Sequence, residues 1–159
     1  ACMNTEGWIA LLRESADAFN QYRASHPDET VNLFEADLSF SNLQRVNFEG
    51  ADLRRCQMQG CNLAGARLDG AQMDLANLRA ATLAGASLRG VTLFSGTFQG
   101  ADLRDTSFHG ANLKKVSFCD ADLRGAVFTG ADFSEADLRW ANYELDDLAD
   151  ADLSAARIR

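Results

Sequence analysis

Residues 51–90 read ADLRRCQMQGCNLAGARLDGAQMDLANLRAATLAGASLRG, with a large apolar side chain at every fifth position: Leu53, Met58, Leu63, Leu68, Met73, Leu78, Leu83 and Leu88. Two residues before each of these centres stands a small residue: Ala51, Cys56, Cys61, Ala66, Ala71, Ala76, Ala81 and Ala86. Helical faces recur at about 3.6 residues and strand faces at about 2, so neither generates a period of five. A centre and its small residue share one side of a short extended step, after which the chain must turn before the next block. Steps and corners in strict alternation wind into a coil, and coils stacked about 4.8 Å apart bring like positions into register.

Outward from this stretch the register holds over 33–158 without an insertion. Tyr143 is the one polar-tipped centre, valine takes the small position at Val31, Val46, Val91 and Val116, and Asp146 is the one clear violation. Gly50, Gly70, Gly90, Gly110 and Gly130 recur at intervals of twenty, while Glu35, Arg55, Leu75, Ser95, Lys115 and Glu135 form an equally spaced column without glycine. If glycine marks the corner that needs positive φ, the structural period is twenty residues. Four blocks then close one coil, and the cross-section is square.

The same 51–90 run resembles the pentapeptide-repeat family, whose motif is A(D/N)LXX, and the resemblance covers roughly 31–158. It implies an all-β fold, a right-handed quadrilateral β-helix; the handedness comes from the family alone. Dividing the array by twenty predicts about six coils and a rod roughly 30 Å long. Residues 1–30 are expected to form an N-terminal α-helical cap and linker, and 31–159 the β-helix. Trp8, Leu11, Leu12, Ala16, Phe19 and Tyr22 fall on one face of a helix over 5–24, which suits a lid on the first coil. Asn4 or Thr5 is placed to cap its start, and Pro27 marks its exit. At the other end the repeat runs to Ile158 and YELDDLAD, 143–150, interrupts it. An uncovered last coil offers a homodimer contact, and a frayed polar end on a monomer is the alternative.

The formal charge is −8, but its distribution matters more than its sum. Eight aspartates, from Asp37 to Asp152, stand immediately before a centre, where Asp and Asn bond nearby backbone. The two outward positions after each centre hold nine acids against eleven bases. Acidity therefore belongs to the corners and the N-terminal segment. Some proteins of the family resemble B-form DNA in size and charge and bind DNA gyrase; the short, loop-free, mixed-charge array here disfavours that role. Direct nucleic-acid binding is also unexpected, because Asp74 and Glu135 interrupt the basic column.

The glycine-free corner carries Phe34, Arg54, Arg55, Leu75, Phe94, Lys114 and Lys115. Aromatic and arginine side chains together suit an interaction surface, although Phe34 and Phe94 stand about 14 Å apart by coil stacking. Cys56 and Cys61 occupy small-residue positions and read as buried thiols, Cys119 projects outward, and no spacing suggests a metal site. The corners absorb the glycines, and no nucleophile–base or paired-carboxylate arrangement remains. No cofactor is expected. No run of about 18 apolar residues suggests a membrane span, and no basic-plus-apolar leader opens the chain. A cytoplasmic, non-enzymatic protein-interaction scaffold is the function this pattern predicts, with a gyrase-binding DNA mimic as the alternative.

Overall fold

The computed structural model describes residues 2–159, and backbone pairing between coils recurs every twenty residues. Parallel bridges join Asn32 to Asp52, Asp52 to Gln72 and Gln72 to Thr92, and parallel series start from Asp37, Asn42 and Asn47 on the other three sides. Each side contributes one bridged residue per coil, so the extended steps are far shorter than ordinary strands.

One block shows why this backbone is stable. In residues 51–55, Ala51 N–H donates across the turn to Phe48 O at 3.0 Å, and Asp52 N–H donates to Val31 O of the preceding coil at 2.8 Å. Leu53 and Arg55 N–H donate to Gln72 O and Asp74 O of the following coil at 2.7 and 2.9 Å. The remaining donor, Arg54 N–H, is met by the Asp52 carboxylate at 3.1 Å. All five donors of the block are satisfied, as burial against an apolar core requires. Ala51 and Leu53 point inward with no solvent exposure.

The turn bond with positive φ at its third residue is the type II arrangement. Every corner from Glu35 to Trp140 uses it. Glu35, Phe40, Arg45, Arg55, Leu75 and Trp140 have φ of 59 to 62°, beside glycines such as Gly50 at 67° and Gly70 at 69°. The glycine column was expected to mark one corner with a special backbone demand; the demand is common to all four. The period of twenty is correct, but the bridges report it, and glycine content does not.

Apart from Phe48, leucine and methionine fill the first coils, and phenylalanine joins leucine in the core from Phe98 onward. Phe98 stacks on Phe118 with centroids 5.6 Å apart, Phe108 stacks on Phe128 at 5.2 Å, and the two columns meet edge to face. Such pairs add about 0.5–1.5 kcal/mol each beyond area burial.

The expected single cap helix is two helices. α1 spans Thr5–Glu14 with Asn4 as its N-cap, and α2 spans Ala16–Ser25. Ser15 lies between them in an extended conformation and caps α2 by accepting from Ala18 N–H at 2.9 Å. The break lets Trp8 and Phe19 both bury fully, 5.5 Å apart, with Phe19 against Phe48 of the first coil at 5.4 Å. Polar side chains of the cap stand in for a missing coil. Arg23 donates to Asn47 O at 2.7 Å and Glu49 O at 3.0 Å. Asn20 donates to Arg45 O and accepts from Asn47 N–H, and Thr5 donates to Asn32 O. An otherwise open ladder edge is thereby closed on two sides.

At the far end, the four-residue 3₁₀ turn Leu145–Leu148 displaces the coil at the stretch where the repeat falters. Register is recovered at Arg157, which bridges Asp137 twenty residues earlier. Leu145 is 84% exposed, and Ile158 also faces solvent.

Candidate interaction corner

Phe34, Arg54, Arg55, Leu75, Phe94, Lys114 and Lys115 all stand on one corner of the rod. Glu35 N–H donates to Arg54 O, Arg55 N–H to Asp74 O, Leu75 N–H to Phe94 O and Ser95 N–H to Lys114 O, so the column is continuous from coil to coil. The Arg54 guanidinium lies 5.1 Å from the centroid of the Phe34 ring, and the Lys115 ammonium lies 5.6 Å from that of Phe94. Cation–π contacts of this kind hold an exposed ring and cation in place. Leu75 is 44% exposed and sits at φ 62°, a conformation costing about 1–2 kcal/mol for an L-residue. Phe40 and Trp140, 77% and 72% exposed, hold similar strained positions on the next corner.

The structure also accounts for the aspartates. Asp52, Asp102, Asp122 and Asp137 each accept from the backbone N–H two residues on and from the guanidinium of that same residue. The partners are Arg54, Arg104, Arg124 and Arg139, at 2.6–2.8 Å. The guanidinium bonds, aided by the backbone donor, hold these carboxyls below their usual range, and Asp137 is lowered to about 2. An Asp-Leu-Arg triplet is therefore a self-neutralised corner. Where the capping position carries Ser87 or Thr92, a carboxylate from the preceding coil substitutes: Asp69 accepts from Arg89 N–H and Asp74 from Phe94 N–H.

The thiols at small-residue positions behave as core groups. Cys56 and Cys61 donate to Leu33 O and Leu38 O at 2.8 Å, and burial pushes the Cys56 thiol up to about 12 and raises Cys61. Cys119 is half-buried rather than fully outward, and its thiol contributes to lowering the Asp137 carboxyl. His109 faces solvent.

A groove of about 740 Å³ lies where α1 meets α2 over the first coil, between Arg13, Glu14 and Asp17 on one wall and Asn42, Gln44 and Arg45 on the other. Among the described residues, no cluster of His, Cys, Asp and Glu could hold a metal ion, and no helix is long and apolar enough to cross a membrane. Sequence reasoning missed Asn20 and Arg23. Their signal lies in the accounting of first-coil backbone groups, which requires the coil to be known.

A square stack of five-residue blocks, paired every twenty residues and capped by helices, defines the β-helical solenoids of short repeats. The sequence profile described as pentapeptide repeats matches residues 32–70, 71–110 and 106–142 in eight copies, and the chain belongs to this family. Its members fold as right-handed β-helices and are generally structural or interaction proteins. No curated protein sequence matches the chain. Among solved structures, it is similar to a pentapeptide repeat protein of the Arabidopsis thaliana thylakoid lumen, at 29% identity and a TM-score of 0.51. That match covers 64% of this chain and 74% of the other. HetL from Nostoc sp. strain PCC 7120, a pentapeptide repeat protein involved in heterocyst differentiation regulation, is 29% identical over 80% of this chain and 74% of its own, with a TM-score of 0.49. QnrB1, a plasmid-mediated fluoroquinolone resistance protein, is 22% identical over 82% of this chain and 72% of its own, with a TM-score of 0.32.

Proposed function

We propose that the chain is a non-enzymatic protein-interaction scaffold whose partner docks along the corner formed by Phe34, Arg54, Arg55, Leu75, Phe94, Lys114 and Lys115. The observation that carries this reading is Leu75, an apolar side chain left exposed in a left-handed backbone conformation, where a glycine would be easier. On this reading residues 1–30 are the cap and 31–159 the presenting rod, about six coils at twenty residues each. Two buried thiols, each bonded to a backbone carbonyl rather than to the other, accord with the reducing cytoplasm. The paired aspartates weigh against a DNA-mimicking gyrase binder, since four of the corner carboxylates face their own arginines. A homodimer through the C-terminal coil, where Leu145 is exposed, and a monomer are the two alternatives for assembly, which sedimentation of wild type against Leu145→Ser separates. The corner itself is tested by affinity capture from the native host with wild type and Leu75→Asn/Phe94→Ser. Asparagine tolerates the left-handed conformation, so loss of one partner from an intact fold supports the proposal. An unchanged capture profile overturns it.

A further inference from the structure

We propose that the partner segment is extended and acidic, with one apolar side chain between two carboxylates four residues apart; this rests on the interaction reading above. Four cations stand on the corner, and two of them are already engaged. Arg54 pairs with Asp52 at 2.8 Å, and Lys115 pairs with Glu135 at 3.7 Å. Among the described residues, Arg55 and Lys114 have no carboxylate within ion-pair distance; Lys114 acts on Asp132 only through space. They stand three coils apart, about 14 Å at the stacking distance. Leu75 and Phe94 fill the interval between them on consecutive coils.

An extended chain advances about 3.4 Å per residue and turns alternate side chains to one face. Residues i and i+4 then span about 14 Å, and residue i+2 faces the ridge between them. Two acids match Arg55 and Lys114, and the middle residue meets Leu75 and Phe94. Asp74 selects against other anions. It lies beside Leu75, held by Phe94 N–H at 2.9 Å, and repels a continuous line of negative charge such as a nucleic-acid backbone. A segment with its charges separated by an apolar residue avoids that repulsion.

Selection of a phage-displayed random dodecapeptide library on the full chain tests the proposal. The expected result is enrichment of acid–x–apolar–x–acid sequences. The best of these should bind the Arg55→Asn/Lys114→Ser variant about tenfold more weakly, as loss of two charge pairs predicts, and lose affinity as salt rises. A charge-swapped pair provides a second measurement: Arg55→Glu/Lys114→Glu should recover binding to the same peptide with lysines replacing its acids. Enriched peptides without the acidic pair, or binding indifferent to both variants, overturn the proposal. Failure of the library while host capture still depends on Leu75 and Phe94 overturns the acidic segment and leaves the interaction reading standing. Loss of that dependence removes both.

Discussion

Ala80 offers a test of whether the corners carry backbone strain. It sits at φ 56°, exposed, between Gly60 and Gly100 of the neighbouring coils, and its N–H donates to Gln99 O at 2.9 Å. Replacing Ala80 with glycine leaves the ladder bond intact and removes only a methyl group. Relief of the left-handed conformation contributes about 1–2 kcal/mol, and the greater freedom of glycine in the unfolded chain removes about 0.5–1 kcal/mol. The net expectation is a gain of about 0.5–1 kcal/mol. At about 2–4 °C per kcal/mol for a chain of this size, Tm should rise by about 1–4 °C. Ala10, exposed within α1, supplies the opposite sign, since Ala10→Gly should cost about 1 kcal/mol. Thermal melts followed by far-UV circular dichroism and urea titrations of both variants settle the comparison. A Tm for Ala80→Gly below that of wild type, with the urea m-value unchanged, would refute corner strain.

Arg23→Ala strands two first-coil carbonyls that a half-buried guanidinium now serves, and should lower stability by about 2–4 kcal/mol; an unchanged urea midpoint would show that water replaces the guanidinium freely. The carboxyls of Asp52, Asp102, Asp122 and Asp137 titrate lower in the folded chain than when unfolded. Their contribution is therefore complete above the unfolded value near 4 and is lost as pH falls toward 2. Melting temperature should drop across that window, and by less when all four are Asn. With the Cys56 thiol near 12 and Cys61 raised, iodoacetamide at pH 7.5 should label Cys2 in the folded protein and reach Cys56 and Cys61 only after denaturation, which peptide mass mapping reads directly.

Much of the rod was legible because its core obeys one rule. Centres and small residues from Val31 to Leu138 repeat every five residues, and a period belonging to neither helix nor strand has few physical solutions. The corner rule was harder. Arginine, leucine and tryptophan tolerate the left-handed turn at Arg45, Leu75 and Trp140, so composition at a corner does not report its backbone. The cap was legible as an apolar face, but its break was not, because that face continues from Leu12 through Ala16 to Phe19. Ser15 followed by Asp17 is the signal for a second helix start, and the unbroken periodicity masked it. The candidate corner was legible as a column. Which of its cations are already engaged depends on side-chain directions, and no spacing gives those.

Twenty-residue pairing has a consequence for how such a chain can change. A deletion of five residues anywhere between Val31 and Leu138 leaves every apolar side chain pointing inward, because all four sides present the same inward pattern. The surface does not share this indifference. Everything beyond the deletion turns by one side of the square, so removal of residues 61–65 would carry Leu75 and Phe94 onto a different edge from Phe34 and Arg54. The interior counts modulo five and the exterior modulo twenty. Lengthening the rod without disturbing its outer columns therefore requires whole coils, whereas a single block redeals the surface while every centre still points inward.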